Sequence, residues 1–170
     1  MKKILLFPIF LCFLVMSACS SEDPIKEELE SYLNDDLANI IGLETEAVSA
    51  YDSVTGVNYT SDQLLYDVLL MDVIPTYQEF MNKLEAIRLE SEELRAIHEG
   101  YIEGVNTQYN AFTRIVTALE YQDRAMIEEA NAMLDEARKL LRDFNYNIEK
   151  LTKEHGVEMK KSFESETTGL

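Results

Sequence analysis

Tryptophan is absent from this 170-residue chain, and cysteine and histidine occur only twice each. Proline occurs three times and glycine six. Two cysteines cannot staple a disulfide framework. No strand alternation, β-hairpin turn or internal repeat stands out, and no glycine-rich loop is placed to cradle a phosphate. Positive charge is scarce as well. Fifteen Lys and Arg stand against 32 Asp and Glu, a net charge of -17, which excludes a nucleic-acid backbone as partner. A hydrophobic fraction of 46% is too high for a disordered acidic chain. The length suits one domain with its own core.

What is present is helical period. Asp23 is placed to cap a helix with Pro24 at its first position, where a missing N–H costs nothing. Its apolar face runs through Ile25, Leu29, Leu33, Leu37, Ile41, Val48, Tyr51 and Val54 toward Gly56, a residue suited to a left-handed cap. The spacing predicts a helix over 24–55, weakened at Gly42. Thr60 and Gln63 fit a capping box that opens a helix over 61–74, which Pro75 either kinks or ends.

Beyond Pro75, Tyr77, Leu84, Ser91, His98, Val105, Phe112 and Leu119 fall on heptad position a. Phe80, Ile87, Leu94, Tyr101, Gln108 and Ile115 fall on d. This register predicts one helix over 75–120, about 70 Å long, with Gly100 and Gly104 where a partner helix approaches closely or the rod bends. Asp123 should cap a last helix over 124–155 that stops at Gly156, leaving 158–170 as a flexible tail. The expected fold is all-α: an elongated antiparallel bundle of three to four long helices over 24–157, with coiled-coil-like packing.

The N-terminus follows different rules. Lys2 and Lys3 precede an apolar run from Ile4 to Met16, broken only by Pro8. That run is shorter than the roughly 20 residues a membrane span requires and has the form of a secretory signal. It leads into Met16-Ser17-Ala18-Cys19, which resembles the lipobox of bacterial lipoproteins, with Met16 where leucine is preferred. The resemblance implies export, lipid attachment to the Cys19 thiol and cleavage before it, giving a signal peptide 1–18 and a short tether 19–23. An ordinary secretion signal and a plain N-terminal membrane anchor are the alternatives. With Cys12 removed and Cys19 acylated, no free thiol is left for redox or metal chemistry. The implied location is the outer face of a bacterial cell membrane, or the outer membrane of a Gram-negative cell.

Reaction chemistry is sparse. His98 reads as a satisfied core histidine or a polar residue that specifies register, and His155 as favourable to a helix C-terminus. Neither completes the Glu-x-x-His motif of a di-iron bundle, since Arg95 and Thr152 stand three residues before them. The pairs Asp35-Asp36, Glu92-Glu93 and Glu128-Glu129 lie mainly off the apolar faces. Ser91 and Gln108 occupy core positions without a base or an oxyanion elbow and should fix register or make room. Tyr77 and Tyr101 belong to the seam, whereas Tyr66, Tyr109, Tyr121 and Tyr146 do not fall neatly on it. Tyrosines in an exposed patch would suit protein or glycan contact. No catalytic, cofactor-binding or metal-ligating residue is expected, and the one assigned site is lipidation at Cys19.

Charge is divided along the chain. No Lys or Arg lies between Lys26 and Lys83, where twelve carboxylates occur, while later residues mix both signs. An unmixed acidic half reads as a solvated exported surface; it can also steer a basic partner or repel an anionic surface. The expected function is that of a non-enzymatic, membrane-anchored envelope lipoprotein: an adaptor, spacer or regulator binding another exported protein, and possible as a homodimer. The alternative is a lipoprotein that binds a ligand, a cation or the cell wall.

Overall fold

The computed structural model describes residues 23–158. The expected signal 1–18, Cys19, most of the tether and the tail beyond 158 lie outside the described residues.

The chain enters α1 (Pro24–Ser31), widens into a π-helical turn (Tyr32–Leu37) and continues into α2 (Ile41–Asp52). A 3-10 turn at Gly56–Asn58 leads to α3 (Asp62–Val68), a second π-helical stretch (Leu69–Val73) and α4 (Ile74–Ala86). Two long helices follow, α5 (Glu92–Tyr121) and α6 (Arg124–His155). Among the described residues there is no strand, and the fold is an all-α helical bundle. Its helices pack against one another, α5 and α6 most extensively. Asp23 meets His155 at one end, and the Tyr66 hydroxyl reaches Glu120 toward the other, at 2.8 Å.

The helix starts follow local chemistry. Asp23 Oδ1 accepts from the N–H groups of Ile25 and Lys26 at 3.1 and 3.3 Å, and Asp123 Oδ1 caps α6 through Ala125 and Met126. At α3 the cap is Ser61, not Thr60: its hydroxyl accepts from Leu64 N–H at 3.3 Å. Gln63 turns away and donates to Asp67 at 2.9 Å. Gly56 and Gly156 both take positive φ, 55° and 60°, as loop entry and helix exit require.

Pro75 stands at the start of a further α-helix, α4, and the helical path runs into it without a break. It lies in the first turn of α4, directly after the π-helical stretch Leu69–Val73. A proline ring lacks an N–H and presses on the carbonyl four residues back, here Met71. The widened turn sits at that point and takes up the misfit.

The largest departure is the helix expected over 75–120. It is interrupted at Ile87–Ser91, and α4 folds back against α5. Most heptad residues are core residues, with Ile87, Ser91, Gln108 and Leu119 only partly buried, and several of them pack on one another instead of on a separate partner. Phe80 and Tyr101 ring centroids are 6.1 Å apart, and those of Tyr77 and Phe112 5.3 Å. Neither glycine nor proline marks the reversal; side chains hold the backbone of the link. The Arg88 guanidinium donates to the Glu85 and Ile87 carbonyls at 2.6 and 2.9 Å, closing α4. Glu28, on α1, accepts from the backbone N–H groups of Glu90 and of Ser91, the latter at 3.0 Å, holding the link just ahead of α5. Burial pushes the Glu28 carboxyl up, but these bonds and the charge of Arg95 hold it below its ordinary value. Glu28→Ala removes these bonds to the link and should lower stability by about 1 kcal/mol, read as a reduced urea midpoint with an unchanged slope.

The two glycines of α5 separate. A Cβ on Gly104 would stand 3.1 Å from both Leu140 Cβ and Leu141 Cδ2, whereas one on Gly100 would meet nothing within 4 Å. Close helix approach is real at Gly104 and absent at Gly100. Gly100→Ala should therefore stabilise the bundle by up to about 1 kcal/mol through helix propensity. Gly104→Val should destabilise it by roughly 1–3 kcal/mol through overpacking between α5 and α6. Thermal unfolding of the two variants should move in opposite directions.

Candidate functional site

Two features rise above ordinary bundle packing. The first is enclosed. Glu44, on α2, has no solvent exposure, although it is a carboxylate in the middle of an apolar face. The Tyr101 hydroxyl donates to Glu44 Oε2 at 2.5 Å, while Oε1 has no hydrogen-bond partner. Burial pushes the Glu44 carboxyl up to about 7, with the Tyr101 bond pulling weakly the other way. The buried Tyr77 hydroxyl is also without a partner, and burial together with the charge of Glu44 raises its pKa. Tyr101 is raised for the same two reasons, and its ring stacks on Phe144 with centroids 4.1 Å apart.

His98 belongs to the same interior. Its Nδ1 lies 2.9 Å from the Tyr32 hydroxyl, across edge-to-face rings. Nε2 makes no hydrogen bond in bonding geometry. Burial holds the His98 pKa below its ordinary value, against a weaker upward pull from the Leu84 backbone and from Glu99. This cluster is a polar seam within the core. With Glu44 fully enclosed, it offers no face to a substrate.

The second feature is open. Where α2 ends, α3 begins and α5 turns into α6, a groove of about 680 Å³ is lined by Leu65, Ile115, Ala118, Leu119 and Ile127 along its floor. Tyr51, Tyr59, Asp62, Gln122, Asp123 and Asn131 supply polar groups around them. Such a volume lies within the range of binding sites. Next to lining residues in the chain stand exposed apolar side chains: Val57 is fully exposed, Tyr121 73% exposed and Leu64 43%. Tyr59, itself in the lining, is 48% exposed and donates to Asp62 at 2.7 Å. These exposed side chains and the groove lie where the ends of α2, α3, α5 and α6 meet.

The other residues singled out in the sequence scatter. His155 closes α6, its Nδ1 2.6 Å from Asp23 Oδ2, and that bond lowers the Asp23 pKa. Ser91 stands at the start of α5 beneath Glu28. Gln108 lines a narrow crevice with Tyr51, Arg138, Arg142 and Asn145. Tyr109 is half-buried, and Tyr146 is exposed on α6, away from the groove. Asp35, Asp36, Glu92, Glu93, Glu128 and Glu129 are all exposed. Among the described residues no group of three or more His, Cys, Asp or Glu could hold a metal ion, and no helix is long and apolar enough to cross a membrane.

Sequence reasoning missed Glu44 as a site residue. Its signal was available: it lies three residues after Ile41 and four before Val48, inside an otherwise apolar stripe. The groove had no such signal, because four separate segments build it. Compared with family models, curated proteins and solved structures, the chain matches none.

Proposed function

We propose that this chain is a non-enzymatic envelope lipoprotein, anchored through lipid on Cys19, which acts as an adaptor, spacer or regulator by binding another exported protein. In this reading the bundle is elongated, antiparallel and packed in coiled-coil fashion, a rigid body between membrane and partner. One observation supports it above the others: the polarity of the bundle. Its first described residue, Asp23, is bonded to the last residue of α6, His155. Only Ser20, Ser21 and Glu22 separate Asp23 from Cys19. The groove lies at the opposite end, where α6 begins. An α-helix of 32 residues is about 48 Å long, which would hold the groove well clear of the lipid surface.

The test of the anchor is Cys19→Ala in the full chain. Incorporation of labelled palmitate should vanish and the protein should leave the membrane fraction, while a spectrum of helical circular dichroism is retained. Persistent labelling, or membrane retention without lipid, would reject the anchoring.

A further inference from the structure

We infer that the occupant of the groove at the α5–α6 turn is a basic amphipathic segment of the partner, a short helix with apolar anchors and Lys or Arg along its edge. The inference rests on the partner-binding reading above and specifies its chemistry.

The argument begins with shape. An open groove lined by Leu65, Ile115, Ala118, Leu119 and Ile127, with Tyr59 in its lining and exposed Val57, Leu64 and Tyr121 next to lining residues in the chain, suits side chains presented at helical spacing from an extended surface. A small ligand would leave these exposed side chains uncovered. Aromatic residues at such a site supply contact area together with hydroxyls.

Charge then selects the sign. Asp62 and Asp123 line the groove, and Asp52, Asp67 and Glu120 are exposed on the helices that form it. Arg124 is the one basic residue in the lining, and it is paired with Glu128 at 3.3 Å. The α2–α3 wall contributes no compensation, because the chain has no Lys or Arg between positions 26 and 83. The C-termini of α2 and α5 also converge here, and the carbonyl end of a helix dipole favours cations. The positive ends of α3 and α6 are each met by a capping side chain, Ser61 and Asp123. An acidic or uncharged segment would gain nothing from this field, whereas a basic one is steered into it.

The test uses the full lipidated chain in its native envelope, with a photoreactive phenylalanine derivative replacing Val57 or Tyr121, and replacing Tyr146 as the control. The captured segment is sequenced, synthesised and titrated against the protein. Both groove positions should capture the same exported protein through a segment rich in Lys or Arg, and Tyr146 should not. The synthetic segment should bind about tenfold more weakly when sodium chloride rises from 50 to 500 mM, on the order expected for screened surface charges. Val57→Lys should weaken binding comparably without altering the helical spectrum. Capture through an acidic or uncharged segment, or salt-insensitive binding, overturns this inference and leaves the partner reading standing. Capture of lipid, of the chain's own tail or of a second copy overturns it as well. Absence of any exported protein at both groove positions overturns both readings.

Discussion

Glu44→Gln should stabilise the bundle at pH 8 by about 3 kcal/mol and abolish most of its loss of stability between pH 4.5 and 7. The size follows from the displacement of the Glu44 pKa from 4.5 to about 7, each unit corresponding to about 1.4 kcal/mol. Its sign follows from proton counting. Between pH 4.5 and 7 the folded chain holds a proton on Glu44 that the unfolded chain has released. Stability therefore falls as pH rises through that window and stays low above it. Glutamine keeps the shape and cannot ionise, so the penalty is removed.

Urea midpoints measured from pH 4.5 to 8 in both proteins check the prediction. Parallel curves would mean that Glu44 is solvated in solution. His98 should then show itself in the variant. Burial depresses its pKa from 6.5, so the unfolded chain takes up the proton first and stability declines as pH falls below about 6.5. The two buried groups act in opposite directions, and Glu44→Gln leaves the histidine slope alone.

Tyr101→Phe should cost roughly 2 kcal/mol at pH 8 and clearly less at pH 5. The phenylalanine ring preserves the stack on Phe144 and the contact with Phe80, so the substitution isolates the hydroxyl. At pH 8 that hydroxyl is the one hydrogen-bond donor to an enclosed carboxylate whose other oxygen is bare. Removing the donor to a buried charge costs about 1.5–3 kcal/mol. At pH 5 the carboxyl is protonated and the bond is of the weaker, neutral kind. Combining Tyr101→Phe with Glu44→Gln should erase the pH dependence of the tyrosine effect. A cost independent of pH in the single variant would assign the hydroxyl a packing role.

The parts of the fold legible in the sequence are those decided within a few residues. Asp23 before Pro24, Asp123 before α6 and Gly156 after it mark helix ends through hydrogen bonds and φ values that involve only near neighbours. Helical period likewise identified the buried faces: Leu29, Leu33, Leu37, Tyr77, Phe80, Leu84, Tyr101 and Phe112 are in the core. Thr60 lost its role to Ser61 because adjacent residues of similar capping strength are separated only by the path of the loop.

Two features depended on the tertiary structure. A heptad pattern states that certain residues share a face but not what covers that face. Here the chain reverses at Ile87–Ser91, and residues of α4 cover those of α5. A distant group holds the link: Glu28, more than 60 positions earlier, accepts from the Glu90 and Ser91 amides just before α5. The site is non-local for the same reason. Glu44 acquires its character from burial among other helices, with Tyr101 as its one bonded partner, and the groove exists only where the ends of four helices meet. The sequence by itself determined an acidic, all-α chain and where most of its helices begin. How those helices fold over one another, and thereby which carboxylate is buried and which end is open, was decided by packing, because desolvation and concavity are properties of surfaces brought together from separate segments.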